Sequence, residues 1–152
     1  MRIREIQESI ALPISLEEAW AFFANPANLN EVTPPDMRFN TLGGDEGPVE
    51  EGHLIWHRVQ MAPLIYRTWV TEICVVRKNE CFIDNQKFGP FKLWHHRHSF
   101  KALNEKETQV TDTVRYALPF WPFGEIAHGL LVRPQLRKMF DYRKQAFQKR
   151  FG

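Results

Sequence analysis

Cysteine is nearly missing from this chain: Cys74 and Cys81 are the only two, with six residues between them in stretches that read as strands. Two thiols so placed make no disulfide framework, and a reduced, soluble, cytoplasmic protein is the expectation. No run approaches the roughly 18 apolar residues that a bilayer-spanning helix needs. The opening Met1-Arg-Ile-Arg-Glu-Ile-Gln-Glu lacks the apolar core of a secretory signal. Nor is one sign of charge in excess. Twenty Lys and Arg against 18 Asp and Glu leave +2, too little to argue for a nucleic-acid partner. Internal repeats, low-complexity tracts, nucleophile motifs, phosphate loops and cofactor fingerprints are also wanting. The residues therefore call for no cofactor and no metal, and none is assigned a catalytic role.

What the chain has in quantity is aromatic. Twelve Phe and five Trp stand among 152 residues, 43% of which are hydrophobic. That composition is globular, and one domain over residues 1–152 is expected. A chain near this length buries roughly 70% of its unfolded surface, so its core needs no covalent staples.

The order of elements follows from periodicity and punctuation. Residues 2–11 alternate as a first strand, which Pro13 ends. Ser15 with Glu18 three residues later is a capping box opening a short helix from Leu16 to about Ala24. After Asn25-Pro26 a second small helix covers Ala27 to Glu31, stopped by Thr33-Pro34-Pro35. Strands are then expected over 37–42, 53–59, 64–76, the two arms of 81–100, and 108–118. An acidic, glycine-rich loop (Gly43 to Pro48) and polar turns separate them. Pro119-Phe-Trp-Pro-Phe-Gly124 is an irregular link whose aromatics must pack somewhere. From Glu125 to about Lys149 the period becomes helical, with Val132, Leu136, Met139, Phe140, Ala146 and Phe147 near one stripe and a kink expected before Pro134. The helix spans roughly 35 Å, and its basic residues (Arg133, Arg137, Lys138, Arg143, Lys144, Lys149, Arg150) are expected on a solvated face. Asp141 and Arg143 are expected to make surface pairs, worth about 0–1 kcal/mol. The fold class is α+β: a curved antiparallel sheet of seven strands around one long C-terminal helix, with two small helices after strand one.

The hairpin at Gly89-Pro90 carries the chemistry. Alternate side chains of a strand share a face. One face of the first arm holds Phe82, Asp84, Gln86 and Phe88; one face of the second holds Trp94, His96, His98 and Phe100. Large aromatics mixed with ionisable groups are unlike an ordinary core, where unpaired polar groups are costly, and suit a cavity wall. Register decides which groups meet. A two-residue loop sets Asp84 opposite His95 and Gln86 opposite Leu93. A three-residue loop, Gly89 to Phe91, sets Asp84 opposite His96 and Gln86 opposite Trp94. The second is favoured because it brings both mixed faces together, with Asp112 on the next strand completing a cluster.

These residues also resemble a known family. Phe82-Ile-Asp-Asn-Gln-Lys-Phe-Gly-Pro-Phe-Lys-Leu-Trp-His-His-Arg-His-Ser-Phe, Asp112-Thr-Val-Arg-Tyr, the Pro119 link with Gly124, and Phe140-Asp-Tyr-Arg are similar to a bacterial ligand-binding branch of the SRPBCC group. That group lies within the START-like superfamily of birch-pollen-allergen-type proteins, polyketide cyclases and coenzyme Q-binding proteins. The resemblance covers almost the whole chain and implies the helix-grip fold. It further implies a cavity between sheet and helix that takes lipids, polyketides, hormones or quinones. Members of the branch occur fused to epimerase-like proteins, so a partner protein is conceivable. The link here, Phe120-Trp121-Pro122-Phe123, is bulkier than the glycine-rich form of the family.

Four readings of the polar cluster stand open. His96 and His98 pair with Asp84, Asp112 or Gln86 as a buried network. Or His and Gln bind the polar groups of a hydrophobic ligand held by Trp69, Phe82, Trp94, Tyr116, Val132 and Leu136. A third is a mixed nitrogen and oxygen metal site; a fourth is a His–Asp general base for a cyclase or dehydratase. The candidate ligand-binding set is Trp69, Phe82, Asp84, Gln86, Trp94, His96, His98, Asp112, Tyr116, Val132 and Leu136. His95 is expected to face out, and His53, His57 and His128 to be ordinary surface or strand residues. Trp20, Trp56 and Trp69 suit core and cavity wall equally.

Overall fold

Seven antiparallel strands pair in the order β1-β7-β6-β5-β4-β3-β2 in a computed structural model that describes residues 1–37 and 39–152. The strands are β1 (Arg4–Leu12), β2 (Asn40–Gly43), β3 (Leu54–Ala62), β4 (Ile65–Arg77), β5 (Cys81–Phe88), β6 (Leu93–Asn104) and β7 (Glu107–Ala117). Strands β2 to β7 follow one another as a meander, with a ten-residue loop (44–53) between β2 and β3 and short turns thereafter, and β1 pairs with β7, Arg4 opposite Tyr116 and Leu12 opposite Thr108. The crossover from β1 to β2 holds the small helices. This is the α+β, seven-stranded arrangement the sequence predicts.

Helix α1 (Leu16–Phe23) begins at the expected capping box: Glu18 N donates to Ser15 Oγ at 3.2 Å, and Ser15 N donates to Glu18 Oε2 at 2.9 Å. Two orphan donors of the first turn are thereby satisfied. The next helix is a tight turn over Pro26–Val32, capped by Asn25 Oδ1 accepting from Ala27 N. A third short turn, Pro35–Met37, occupies the start of the stretch expected as strand 37–42, so that strand begins only at Asn40; Arg38 lies outside the described residues.

The C-terminal helical segment runs 29 residues, in three parts: α2 (Phe123–Ala127), a wide turn (His128–Val132) and α3 (Arg133–Phe151). In the wide turn Arg133 N donates to His128 O, five residues back. It falls immediately before Pro134, whose ring displaces the preceding turn and which has no N–H to donate. The expected kink is realised as this widened turn. Helix α3 lies against the concave face of the sheet. Arg150 pairs with Glu31 at 2.8 Å and Lys138 pairs with Asp36, tying the helix to the small helices.

Two clusters pack between sheet and helix. One joins Trp20, Phe22, Phe82, Phe100 and Phe147; the other joins Trp94, Val114, Tyr116, Leu136 and Phe140. The link aromatics do not pack as expected: Phe120, Trp121 and Phe123 are exposed by 80%, 74% and 72%.

Candidate functional site

Between the two clusters lies a cavity of about 220 Å³. Its sheet side is set by register. Asp84 stands opposite His96 and Phe82 opposite His98, as the three-residue loop requires. On the other side His98 stands opposite Asp112. The loop is fixed by Gln86, whose Nε2 donates to Phe91 O at 2.7 Å and whose Oε1 accepts from Phe91 N at 3.0 Å. Gly89 is needed beneath it, since a Cβ there would sit 2.6 Å from Gln86 Oε1.

The four charged side chains form a closed set. His98 Nε2 bonds Asp84 Oδ2 at 2.7 Å, and His98 Nδ1 lies 3.1 Å from Asp112 Oδ1. His96 Nε2 bonds the same Asp112 oxygen at 2.8 Å. The His96 and His98 rings lie 3.7 Å apart, and Phe82 stacks on the far face of His98 at 4.1 Å. Burial pushes the His98 pKa down, but the two carboxylates outweigh it and raise it to about 9. His98 is therefore an imidazolium donating through both nitrogens, with a ring face of Phe82 against the cation. Burial, together with the charge of His98, drives the His96 pKa down, so His96 is neutral. Burial raises the Asp84 and Asp112 carboxyls, yet the histidines hold both below their usual range, Asp112 well below. Two carboxylates and one imidazolium leave the set with one negative charge. His96 donates through Nε2, so its Nδ1 carries a lone pair; it lies 3.7 Å from Asp84 Oδ2 and makes no hydrogen bond among the described residues.

The predicted residues divide clearly. Trp69, Phe82, Asp84, Trp94, His96, His98, Asp112, Val132 and Leu136 all line the cavity. Gln86 and Tyr116 do not. Both share the strand parity of the wall, but the Gln86 amide is folded onto the loop. The Tyr116 hydroxyl is buried against His128 Nε2 at 2.7 Å, at the far end of the second cluster. His95 faces the convex side as expected, bonded to Asn85 Oδ1 at 2.9 Å.

Three sequence expectations need correction. His57 lines the cavity, opposite Trp69 in the ladder, with Nδ1 3.1 Å from Thr41 Oγ1. Burial lowers its pKa to about 4, so it is neutral. The parity of β3 carries this signal, because His57 alternates with the buried Ile55 and Val59. His128 is buried too, against Tyr116. The third is Arg143, expected in a surface pair but only 7% exposed and part of the cavity wall. Its spacing from Leu136, Met139 and Phe147 puts it on the apolar stripe of α3.

Asp84, His96 and His98 each offer one donor atom within 4.8 Å of the others. A metal there would require His98 to release a proton that two carboxylates hold.

This is the helix-grip fold: a curved, seven-stranded antiparallel sheet with one long C-terminal helix. Among solved structures, the chain is similar to the ZhuI aromatase/cyclase of Streptomyces sp. R1128, with a TM-score of 0.74 at 12% identity over 96% of this chain and 92% of that one. A norcoclaurine synthase from Thalictrum flavum aligns with a TM-score of 0.64 at 13% identity, over 98% and 96% of the two chains. Ara h 8.0201 aligns with a TM-score of 0.59 at 12% identity, over 97% and 99%. No protein-family model matches the sequence, and no curated protein does. No helix among the described residues is long and apolar enough to cross a membrane.

Proposed function

We propose that this chain binds a hydrophobic or amphipathic small molecule in the cavity between its sheet and its C-terminal helix, as a member of the bacterial ligand-binding SRPBCC branch of the START-like superfamily. The observation that carries the reading is the composition of the wall. Trp69, Phe82, Phe91, Trp94, Val132 and Leu136 supply apolar surface, while a few polar groups converge on one side. Ligand sites have this make-up. The volume is below the roughly 300–1,000 Å³ of drug-sized sites, which favours a ligand of one or two rings over a long lipid. His96 Nδ1 is the acceptor available to a ligand hydroxyl. Similar structures add support, since one norcoclaurine synthase structure holds dopamine and hydroxybenzaldehyde.

Native mass spectrometry of the protein as purified, followed by denaturing extraction and elemental analysis, tests this. An extracted organic species of low mass supports ligand binding. A metal at unit stoichiometry with no organic species would overturn it in favour of the Asp84, His96 and His98 donors.

One observation favours a second reading. His96 is neutral, buried and bonded to Asp112, the condition of a general base in a cyclase or dehydratase. Turnover with a bell-shaped pH profile that His96→Ala abolishes would establish it over simple binding.

A further inference from the structure

Arg143 is the one cation in this cavity wall that no described residue neutralises. The residue is only 7% exposed, and its Nε is sealed from solvent with no hydrogen-bond partner among the described residues. No carboxylate of the described residues lies within ion-pairing distance of its guanidinium, although Arg4, Arg115, Arg137 and Arg150 each have one. The Phe140 ring lies 5.9 Å from its guanidinium carbon. Burying a charge without a partner is costly, and arginine stays protonated at any ordinary pH. Of the polar groups that share this wall, Asn28 Nδ2 donates to Phe22 O and Thr33 Oγ1 donates to Leu29 O.

The helix locates this cation. Leu136 packs with Trp94, and Phe147 packs with Phe82 and Phe100. Arg143 falls between Leu136 and Phe147 on α3, as His96 and His98 fall between Trp94 and Phe100 on β6. It therefore stands across the cavity from the histidine–aspartate set, which carries one negative charge and has no hydrogen-bond donor to offer an anion.

We propose that the ligand carries an acidic group, a carboxylate, that binds the Arg143 guanidinium, and that this pair sets the ligand's direction in the cavity. The inference rests on the binding function proposed above. The carboxylate faces α3, where planar two-point hydrogen bonding matches its oxygens. The opposite end faces His96 Nδ1, which accepts from a hydroxyl, and the negative set repels the ligand's own carboxylate from that side. The substrate class is thus a small aromatic acid, of the hydroxy acid type when both ends are used.

Matched pairs of one charged and one neutral compound test the assignment: benzoate with benzyl alcohol, cinnamate with cinnamyl alcohol, 2-naphthoate with 2-naphthylmethanol. Each is titrated calorimetrically into the full chain and into Arg143→Met, with Arg143→Gln taken in its place should the Met variant fail to fold. The expected result is that at least one acid binds the native protein roughly 10- to 100-fold more tightly than its alcohol, the range for a hydrogen bond to a charged group. In the variant that preference disappears, and acid and alcohol bind alike. Alcohols that bind as well as the acids, or a preference that survives in the variant, would overturn the acid assignment and leave the apolar cavity reading standing. Failure of both acids and alcohols to bind would count against both.

Discussion

On the sheet side of the cavity, two carboxylates and two imidazoles bond one another; on the helix side, Arg143 Nε has no hydrogen-bond partner among the described residues. Both sets are buried, and both sit among aromatic rings. The sheet side satisfies its charges because register puts complementary groups within 3 Å or so across neighbouring strands, where low dielectric strengthens each hydrogen bond. The helix side cannot, since α3 presents Arg143 to a gap rather than to a strand. A closed network of this kind supports the fold. An open charge of this kind is a standing cost that only a ligand or water relieves.

Breaking the closed set should produce the largest effect. Asp112 accepts from both histidines, so Asp112→Ala leaves an imidazolium half-paired in the interior. A loss of about 3–5 kcal/mol is expected, read from urea unfolding. A loss under about 1 kcal/mol would mean that the network contributes little to the fold.

Titration sharpens the same contrast. His98 rises from an ordinary 6.5 to about 9, a difference of roughly 3 kcal/mol between protonated and neutral forms. Its folded pKa lies above its unfolded one, so its contribution is complete below pH 6.5 and lost as pH rises through about 9. Melting temperature should fall across that window and hold steadier in His98→Gln. His57 works in the opposite sense. Its folded pKa of about 4 lies below 6.5, so stability falls as pH drops from 6.5 towards 4. A His57→Phe variant should lose that acid limb alone.

The open side should respond with the opposite sign. Arg143→Met removes an unpaired buried charge and keeps an apolar stem, so ligand-free protein should gain about 1 kcal/mol. A loss of that size would mean that Arg143 has a partner in solution. Smallest of all is Arg150→Ala, which removes a half-exposed pair with Glu31; a change below about 1 kcal/mol is expected from thermal melts.

Much of this arrangement is legible without coordinates. Alternation in β5 and β6 gives the shared face of Phe82, Asp84, Trp94, His96 and His98, and the Ser15–Glu18 spacing gives the start of α1. Parity could not tell that Gln86 and Tyr116 turn their polar ends away, because parity assigns a face and not a partner. Gln86 is drawn to the unpaired backbone of Phe91, and Tyr116 to His128, twelve residues on. Composition hid Arg143 in a basic helix, where the average arginine is solvated. Its place on the stripe of Leu136, Met139 and Phe147 was the better guide.

The small clamp at the hairpin tip has a wider consequence. Because Gln86, Gly89 and Phe91 hold the loop from within, the alignment of β5 with β6 does not depend on what the cavity face carries. Wall residues can then be exchanged one at a time without setting the strands sliding. The tip works as a gauge block: it keeps a fixed frame on which selectivity can be rewritten by substitution at Phe82, Trp94 or His96, while the frame itself stays where it is.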